Sequence, residues 1–389
     1  MTASTTERRN AVAYLVGLGL SFLGDNAMSL VAGIWIKTLT GSSSAAALAS
    51  VCVYAPALLG PLGGAIADRH RLRPLLIGVN LAAAAVVLPM LLVRSRHDIW
   101  LIYAAMFGYG CAMAVTGPAE GALFARIFTA ETRQRLNGVS LVLQEAGRLV
   151  APLAGAGLFA LAGGGAVAAL DAATFAVAAA ATARVRFGQP RPAHKPFDWR
   201  TDLSSGLRHL ARVGELRAAV VMSATAIGMS GVAVAAQYSL VSALHRSPGF
   251  LGVLSALLGA GSIAGGLLAG PLIRRVGERR LILLGVLNFA VGSGLRATGV
   301  LPLALLGSLV LGFALPWCLV ATLTLTQRLV PLDLQGRASA AVSLLLFAPQ
   351  PLTQALGAAL ITVLDYRAVF ALVGAVPLAV YAAAQLRAR

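Results

Sequence analysis

The stretch GPLGGAIADRHRLRP, Gly60 to Pro74, opens on small residues and closes on one aspartate, three arginines and a histidine before the chain turns apolar again. It reads as the end of a membrane helix, a tight basic loop and the start of the next helix. Gly60, Gly63 and Gly64 stand at three- and four-residue spacing, which places small residues on one helical face, as close helix approach in lipid requires. Asp68 ends the helix, where it can reach the first backbone amides of a neighbouring helix or pair with an arginine. The construction returns about half a chain later as GLLAGPLIRRVGERR, Gly266 to Arg280. Such contacts can hold two helical bundles shut on the cytoplasmic side and release as the bundles rock. Alternatively, Arg69, Arg71 and Arg73 do no more than fix topology by staying inside. The glycines and the aspartate favour the gate, since topology alone requires neither.

Composition agrees with a membrane reading. Of 389 residues, 58% are hydrophobic and only 12% charged, with a strongly positive mean hydropathy. Long apolar runs with sparse charge indicate a polytopic helical membrane protein and exclude a soluble domain of this length. A formal net charge of +17 would suggest nucleic acid in a soluble protein. Here most of the basic residues fall in segments assigned to one side of the membrane, which is the positive-inside asymmetry, so no nucleic-acid partner is expected. Cys52, Cys111 and Cys318 all fall within apolar spans and lack metal-ligand spacing, so no metal site is expected. The first apolar run is too long for a cleavable signal and is expected to belong to the fold.

Taken in order, Arg8 and Arg9 place the N-terminal tail in the cytoplasm. Spans are predicted at about Ala11 to Leu39, Ala45 to Ala67, Pro74 to Val93, Ile99 to Phe128, Leu136 to Leu161 and Ala166 to Ala183. Arg184 to Arg217 breaks the pattern with eight basic residues, with Pro190, Pro192 and Pro196, and with an amphipathic piece around Trp199 to Val213. It is expected to be a linker lying on the inner leaflet. Six more spans follow, about Ala218 to Leu244, Phe250 to Ile273, Leu281 to Gly299, Pro302 to Leu329, Ala338 to Leu364 and Arg367 to Leu386. The prediction is an all-α membrane protein of twelve transmembrane helices in two pseudo-symmetric six-helix bundles, residues 1–183 and 218–389, joined by a cytoplasmic linker at 184–217. Both termini face the cytoplasm. VSLVL at Val139 and VSLLL at Val342 form a second echo between the halves. Paired halves around a midplane cavity are the architecture of alternating-access carriers.

The basic loop resembles that of the major facilitator superfamily, whose loop between helices 2 and 3 carries G-x-x-x-D-R-x-G-R-R, with a looser copy between helices 8 and 9. Gly64, Asp68, Arg69 and Arg73 match the first copy, while Arg71 and Leu72 depart from it. Gly270, Arg275, Gly277, Arg279 and Arg280 match the second, in which Arg274 stands where the aspartate would be. Gly147, Pro152 and Gly155 resemble the antiporter signature G-x-x-x-G-P-x-x-G of the superfamily's drug exporters, with Ala151 in place of its inner glycine. Small residues around a proline allow a helix to bend and its neighbour to approach; ordinary small-residue packing is the alternative. SFLGDNAMSL at Ser21, TGSS at Thr40, GPAEGALFARI at Gly117, NGVSLVLQEAGRL at Asn137, LDAATFAVAAA at Leu170 and PLDLQGRASA at Pro331 are similar to the branch holding macrolide efflux pumps and siderophore exporters. The Gly-Asp-Asn of the first span is shared in appearance with lysophospholipid flippases of the same superfamily.

Ionisable groups within a bilayer are costly, so each asks for a reason. Asp25 lies near the middle of the first span, with Ser21, Met28 and Ser29 on its helical face. A carboxyl there can hold a proton in one state and release it in another, or serve as a permanently bonded packing group. Glu120 and Glu145 lie at similar depths, with Arg148 one turn deeper than Glu145. Two carboxylates and one guanidinium form either a proton-coupling cluster or a structural salt-bridge network. Asp171, a few residues into its span, reads as a packing group, and Lys37 as a side chain snorkelling to the outer surface. The polar positions of the second half are neutral, among them Gln237, Tyr238, Asn288, Gln327, Gln350 and Gln354. Together with Asn26, Ser29, Met113, Gln144, Phe313, Trp317 and Phe347 they are candidate substrate contacts, although aromatic and methionine residues in spans commonly just pack.

With the resemblance, these residues imply a secondary transporter of the inner (plasma) membrane. It would be a monomeric proton-coupled antiporter that exports lipophilic small molecules and needs no cofactor. Siderophore or metabolite export, lysophospholipid flipping and a transport-dead sensor are the alternatives. No nucleotide-binding loop, metal-ligand cluster or nucleophile–base pattern speaks for an enzyme.

Overall fold

The computed structural model describes residues 5–56, 60–185, 207–208, 210–331 and 334–386, less the side chains of some helix positions, and is helical, with no strand among the described residues. Its helices are α1 Thr5–Thr40, α2 Ser43–Tyr54, α3 Gly60–Arg69, α4 Leu72–Val87, α5 Ile99–Ile127, α6 Ala130–Arg184, α7 Gly214–Ala243, α8 Leu251–Val276, α9 Glu278–Ala297, α10 Leu301–Leu329, α11 Gln335–Phe347, α12 Gln350–Leu360 and α13 Tyr366–Leu386. Among the described residues, nine helical stretches are long and apolar enough to cross a membrane. Most of the linker at 184–217, with its prolines and the larger part of its amphipathic piece, lies outside the described residues.

Four predicted spans take a different form. The second, expected as one helix from Ala45 to Ala67, is two: α2 ends at Tyr54 just before Pro56, and α3 begins at Gly60. The eleventh is likewise divided into α11 and α12 at Ala348-Pro349, where Pro349 and Pro351 lack the amide hydrogens a continuous ladder needs. The fifth and sixth, by contrast, run together as α6, and the expected gap between Leu161 and Ala166 shrinks to Gly163 alone (φ 76°, ψ 177°). That backbone conformation is essentially reserved for glycine, so a single residue reverses the chain.

By internal contacts the chain falls into two compact units, Met1–Gly41 with Ala49–Phe197, and Ser42–Leu48 with Asp198–Arg389. In the first, α1 lies along both limbs of α6, and α4 packs on α5 and α6. Missing side chains set these approaches. A side-chain carbon on Gly155 would stand 2.9 Å from Ala27 Cβ, and one on Gly147 would stand 2.8 Å from the Phe22 ring. Gly63 presses against the Ala114 carbonyl where α3 meets α5. Close backbone approach through small residues is how helices associate where lipid offers no hydrophobic drive. Near the start of α1, Tyr14, Phe124 and Phe128 form an aromatic cluster with Ala11 and Leu136, ring centroids 5.0 to 6.1 Å apart.

The second unit repeats the scheme. Gly357 of α12 meets the Val232 backbone of α7, as Gly155 meets Ala27. Gly261 and Gly265 of α8 meet the Leu309 and Phe313 backbones of α10, as Gly63 meets Ala114. α9 packs between α10 and α13, and α7 runs against α10, α12 and α13. At one end of this unit Gly277 (φ 80°) ends α8 and starts α9.

Candidate functional site

The polar centre of the first unit is built by three helices. On α1, Ser21 Oγ donates to Asp25 Oδ2 at 3.3 Å, one turn apart. The next residue toward the N-terminus is Gly24, and its bare backbone admits the second limb of α6. A side-chain carbon at Gly24 would stand 2.7 Å from Asp171 Oδ1 and would also collide with Thr174 Oγ1. Asp171 is 2% exposed. Its neighbour Thr174 donates to the Asp171 main-chain carbonyl at 2.7 Å and so leaves the carboxyl alone. From α5, the buried Tyr109 turns its hydroxyl toward Asp25 while its ring packs against Phe175, 5.9 Å between centroids. Glu120, also on α5 and partly buried, is near enough to act electrostatically on Asp25.

Two oxygens stand out. Asp25 Oδ1 and Asp171 Oδ1 are shut off from solvent and have no hydrogen-bond partner among the described residues. Buried polar atoms in folded proteins are nearly always bonded, so two such oxygens on carboxyl groups that influence one another are open to a proton or a water molecule. In a membrane bundle the groups that accept and release protons or cations are found in such positions. Asp171, expected only to pack, therefore belongs to the same centre as Asp25. Its depth was misjudged by counting from helix ends. α6 turns at Gly163, and Gly164 is already pressed against the Trp35 ring of α1, which brings Asp171 down to the level of Gly24. An aspartate in the apolar run LDAATF was the signal available.

The remaining expected residues are dispersed. Asn26 Nδ2 donates to the Phe22 carbonyl at 2.7 Å within its own helix, and Ser29 is partly buried on the same helix. The side chains of Glu145 and Asp68 lie outside those described; Arg148 is exposed and Gln144 half-buried. Gly147, Pro152 and Gly155 are buried along the α1 contact. In the basic loop, Arg69 is exposed, and Arg73 donates to the Ala183 carbonyl at the end of α6, where the helix leaves carbonyls unpaired. Gly64, expected on the close-approach face, has nothing within 4 Å of a side-chain carbon, whereas its neighbour Gly63 makes that approach. Met113 is exposed.

In the second unit, Gln350 Nε2 donates to the Ile227 carbonyl at 2.9 Å, and Gln354 Nε2 to Gln350 Oε1 at 3.3 Å, which ties both amides into the α12–α7 packing. Trp317 Nε1 donates to the Gly265 carbonyl at 3.0 Å, and its ring lies 6.0 Å from that of Phe313. Tyr238 is buried, Gln237 half-buried and Phe347 exposed. Gly270 has only the Arg274 side chain near it, and Arg275 is exposed. Two features escaped the sequence reading. Arg296 of α9 is 1% exposed and donates through Nε and Nη2 to Ser308 Oγ at 3.1 and 2.8 Å, with no carboxylate in ion-pair contact among the described residues. Arg328 lies 3.4 Å from Glu278 and 3.7 Å from Glu215, linking α7, α9 and α10. Arg296 was overlooked because it lies close to a helix end, where an arginine normally snorkels. No group of His, Cys, Asp and Glu suited to a metal ion occurs among the described residues.

A helical bundle of membrane-length segments, built of two units with matching glycine contacts and carrying carboxyl groups in its apolar interior, is that of a multi-pass membrane protein. The chain belongs to the Major Facilitator Superfamily, which matches it over residues 14–226 and 218–387. Macrolide efflux protein A of Streptococcus pyogenes is 23% identical over 293 residues, covering 74% of this chain and 72% of that protein. Multidrug resistance protein MdtH of Salmonella typhimurium is 30% identical over 100 residues, covering 26% of this chain and 24% of that protein. In fold, the chain is similar to the crystal structure of a mutant of the nucleoside transporter NupG, with a TM-score of 0.76 at 13% identity, covering 97% of this chain and 99% of that one.

Proposed function

We propose that this transporter is a proton-coupled antiporter that exports lipophilic small molecules across the plasma membrane by alternating access. The observation that carries the proposal is the Asp25–Asp171 pair, two carboxyl groups drawn together by Gly24, each with an oxygen sealed and unbonded among the described residues. Two such groups can share a proton and hand it on, and Ser21 and Tyr109 are placed to orient the Asp25 carboxyl. One proton taken up or released changes the charge of the bundle interior by a full unit, enough to bias a two-state cycle. The substrate class rests on the efflux proteins to which the chain is similar. Reading 43–69 and 335–360 as one crossing each, and α6 as two, gives twelve crossings with both termini cytoplasmic, the arrangement we assign to the chain.

The test is export of a lipophilic cationic dye and of a macrolide by everted membrane vesicles expressing the full chain. The proposal expects uptake that collapses with a protonophore and is lost in Asp25→Asn and Asp171→Asn variants of unchanged abundance. Export indifferent to the protonophore, or intact in both variants, would discard the coupling.

A further inference from the structure

About 25 Å along α1 from Asp25, at the end of the first unit that carries its basic loop, the helices part. The start of α1, the start of α4 and the end of α6 line an open hollow of about 990 Å³. Its lining is of two kinds only. Arg8, Arg9, Arg73 and Arg184 supply all the charge, and every other lining residue is a valine or an alanine, among them Val16 of α1 and Val177 of α6. Four arginines lining one hollow gather like charge there, which favours an anion among them. Among the described residues no carboxylate forms an ion pair with any of the four. Arg73 is already braced by the Ala183 carbonyl, so its guanidinium is held at the rim. Arginine forks suit phosphate oxygens in paired hydrogen bonds. An apolar wall beside such a ring suits hydrocarbon, and Val12 and Val16 of α1 are exposed there at 57% and 46%. The volume far exceeds a bare phosphate and suits a headgroup with the first part of its chains.

We propose that this cavity binds an anionic phospholipid, whose phosphate is held by Arg8, Arg9, Arg73 and Arg184 and whose acyl chains lie on the valine and alanine wall. The site is separate from the carboxyl pair and stands whether or not transport is proton-coupled. Basic pockets between membrane helices are known to take lipid headgroups of this charge.

The purified, delipidated full chain is titrated with dioleoylphosphatidylglycerol and with dioleoylphosphatidylcholine, and bound lipid is counted by native mass spectrometry. The phosphatidylglycerol should bind more tightly. Each arginine lost should weaken it about five-fold, so Arg9→Gln with Arg184→Gln should weaken it about twenty-five-fold. Arg94→Gln with Arg96→Gln, away from the cavity, should leave it unchanged. Val16→Trp keeps all four arginines and fills the apolar wall, and it too should weaken binding, which secures the test should the double arginine variant fail to fold. Equal binding of the two lipids, an equal loss in the Arg94/Arg96 variant, or displacement of the lipid by equimolar inorganic phosphate would overturn the proposal; the last would reveal a plain anion site.

Discussion

Gly24 of α1 and Asp171 of α6 approach so closely that a methyl group on the glycine would stand 2.7 Å from the Asp171 carboxyl oxygen. The absence of one side chain thus lets the Asp171 carboxyl lie against α1 beside Asp25. Gly24→Ala should lower the stability of the purified protein by about 1–3 kcal/mol, the usual cost of overpacking. It should also separate Asp171 from Asp25 and reduce export. Thermal melting in detergent together with vesicle export checks both, and an alanine variant with unaltered melting and export would contradict the contact.

Asp25 and Asp171 should behave as one functional unit. If they share a proton, Asp25→Asn and Asp171→Asn will each abolish proton-driven export nearly as completely as the double variant. Such non-additivity is the signature of coupled sites. Proton release on dye addition, followed with a pH indicator in lightly buffered detergent solution, provides the independent readout. It should vanish in all three variants.

Arg296 offers a contrast between two substitutions. Ser308→Ala removes the hydroxyl that accepts the Arg296 Nε and Nη2 hydrogen bonds and should cost about 1–3 kcal/mol, the penalty for stranding a buried donor. Arg296→Met replaces the cation with an apolar chain of similar length and should be near neutral or stabilising, as when buried ions give way to well-packed hydrophobic residues. Unfolding midpoints of the two variants decide the matter. If Arg296→Met proves the more damaging, the arginine has a role that packing does not describe.

Neighbouring glycines of the basic-loop helix should respond oppositely. Gly63→Ala drives a methyl into the Ala114 carbonyl and should destabilise by about 1–3 kcal/mol. Gly64→Ala meets nothing within 4 Å and should be neutral or slightly stabilising, since alanine loses less backbone freedom in a helix. Melting of the two single variants, side by side, is sufficient.

Much of this molecule was legible in the chain itself. Long apolar runs, the basic loops between them and the repeated small-residue stretches determined a two-repeat helical membrane protein, because lipid leaves the backbone no alternative to closing its own hydrogen bonds. Asp25 was legible for the same reason, since a carboxyl inside an apolar run is conspicuous. Tertiary structure decided its partners. Whether Asp171 packs quietly or faces Asp25 depends on where two helices cross, and that follows from the bare surface of Gly24 and the seat of Trp35 on Gly164, neither of which any periodicity records. The same holds for Gly63 over Gly64, for Arg296 buried against Ser308, and for four arginines far apart in sequence lining one hollow. Composition and period report how each segment meets its solvent, whereas crossing points are set by side-chain volume at single positions, and only the folded chain brings those together.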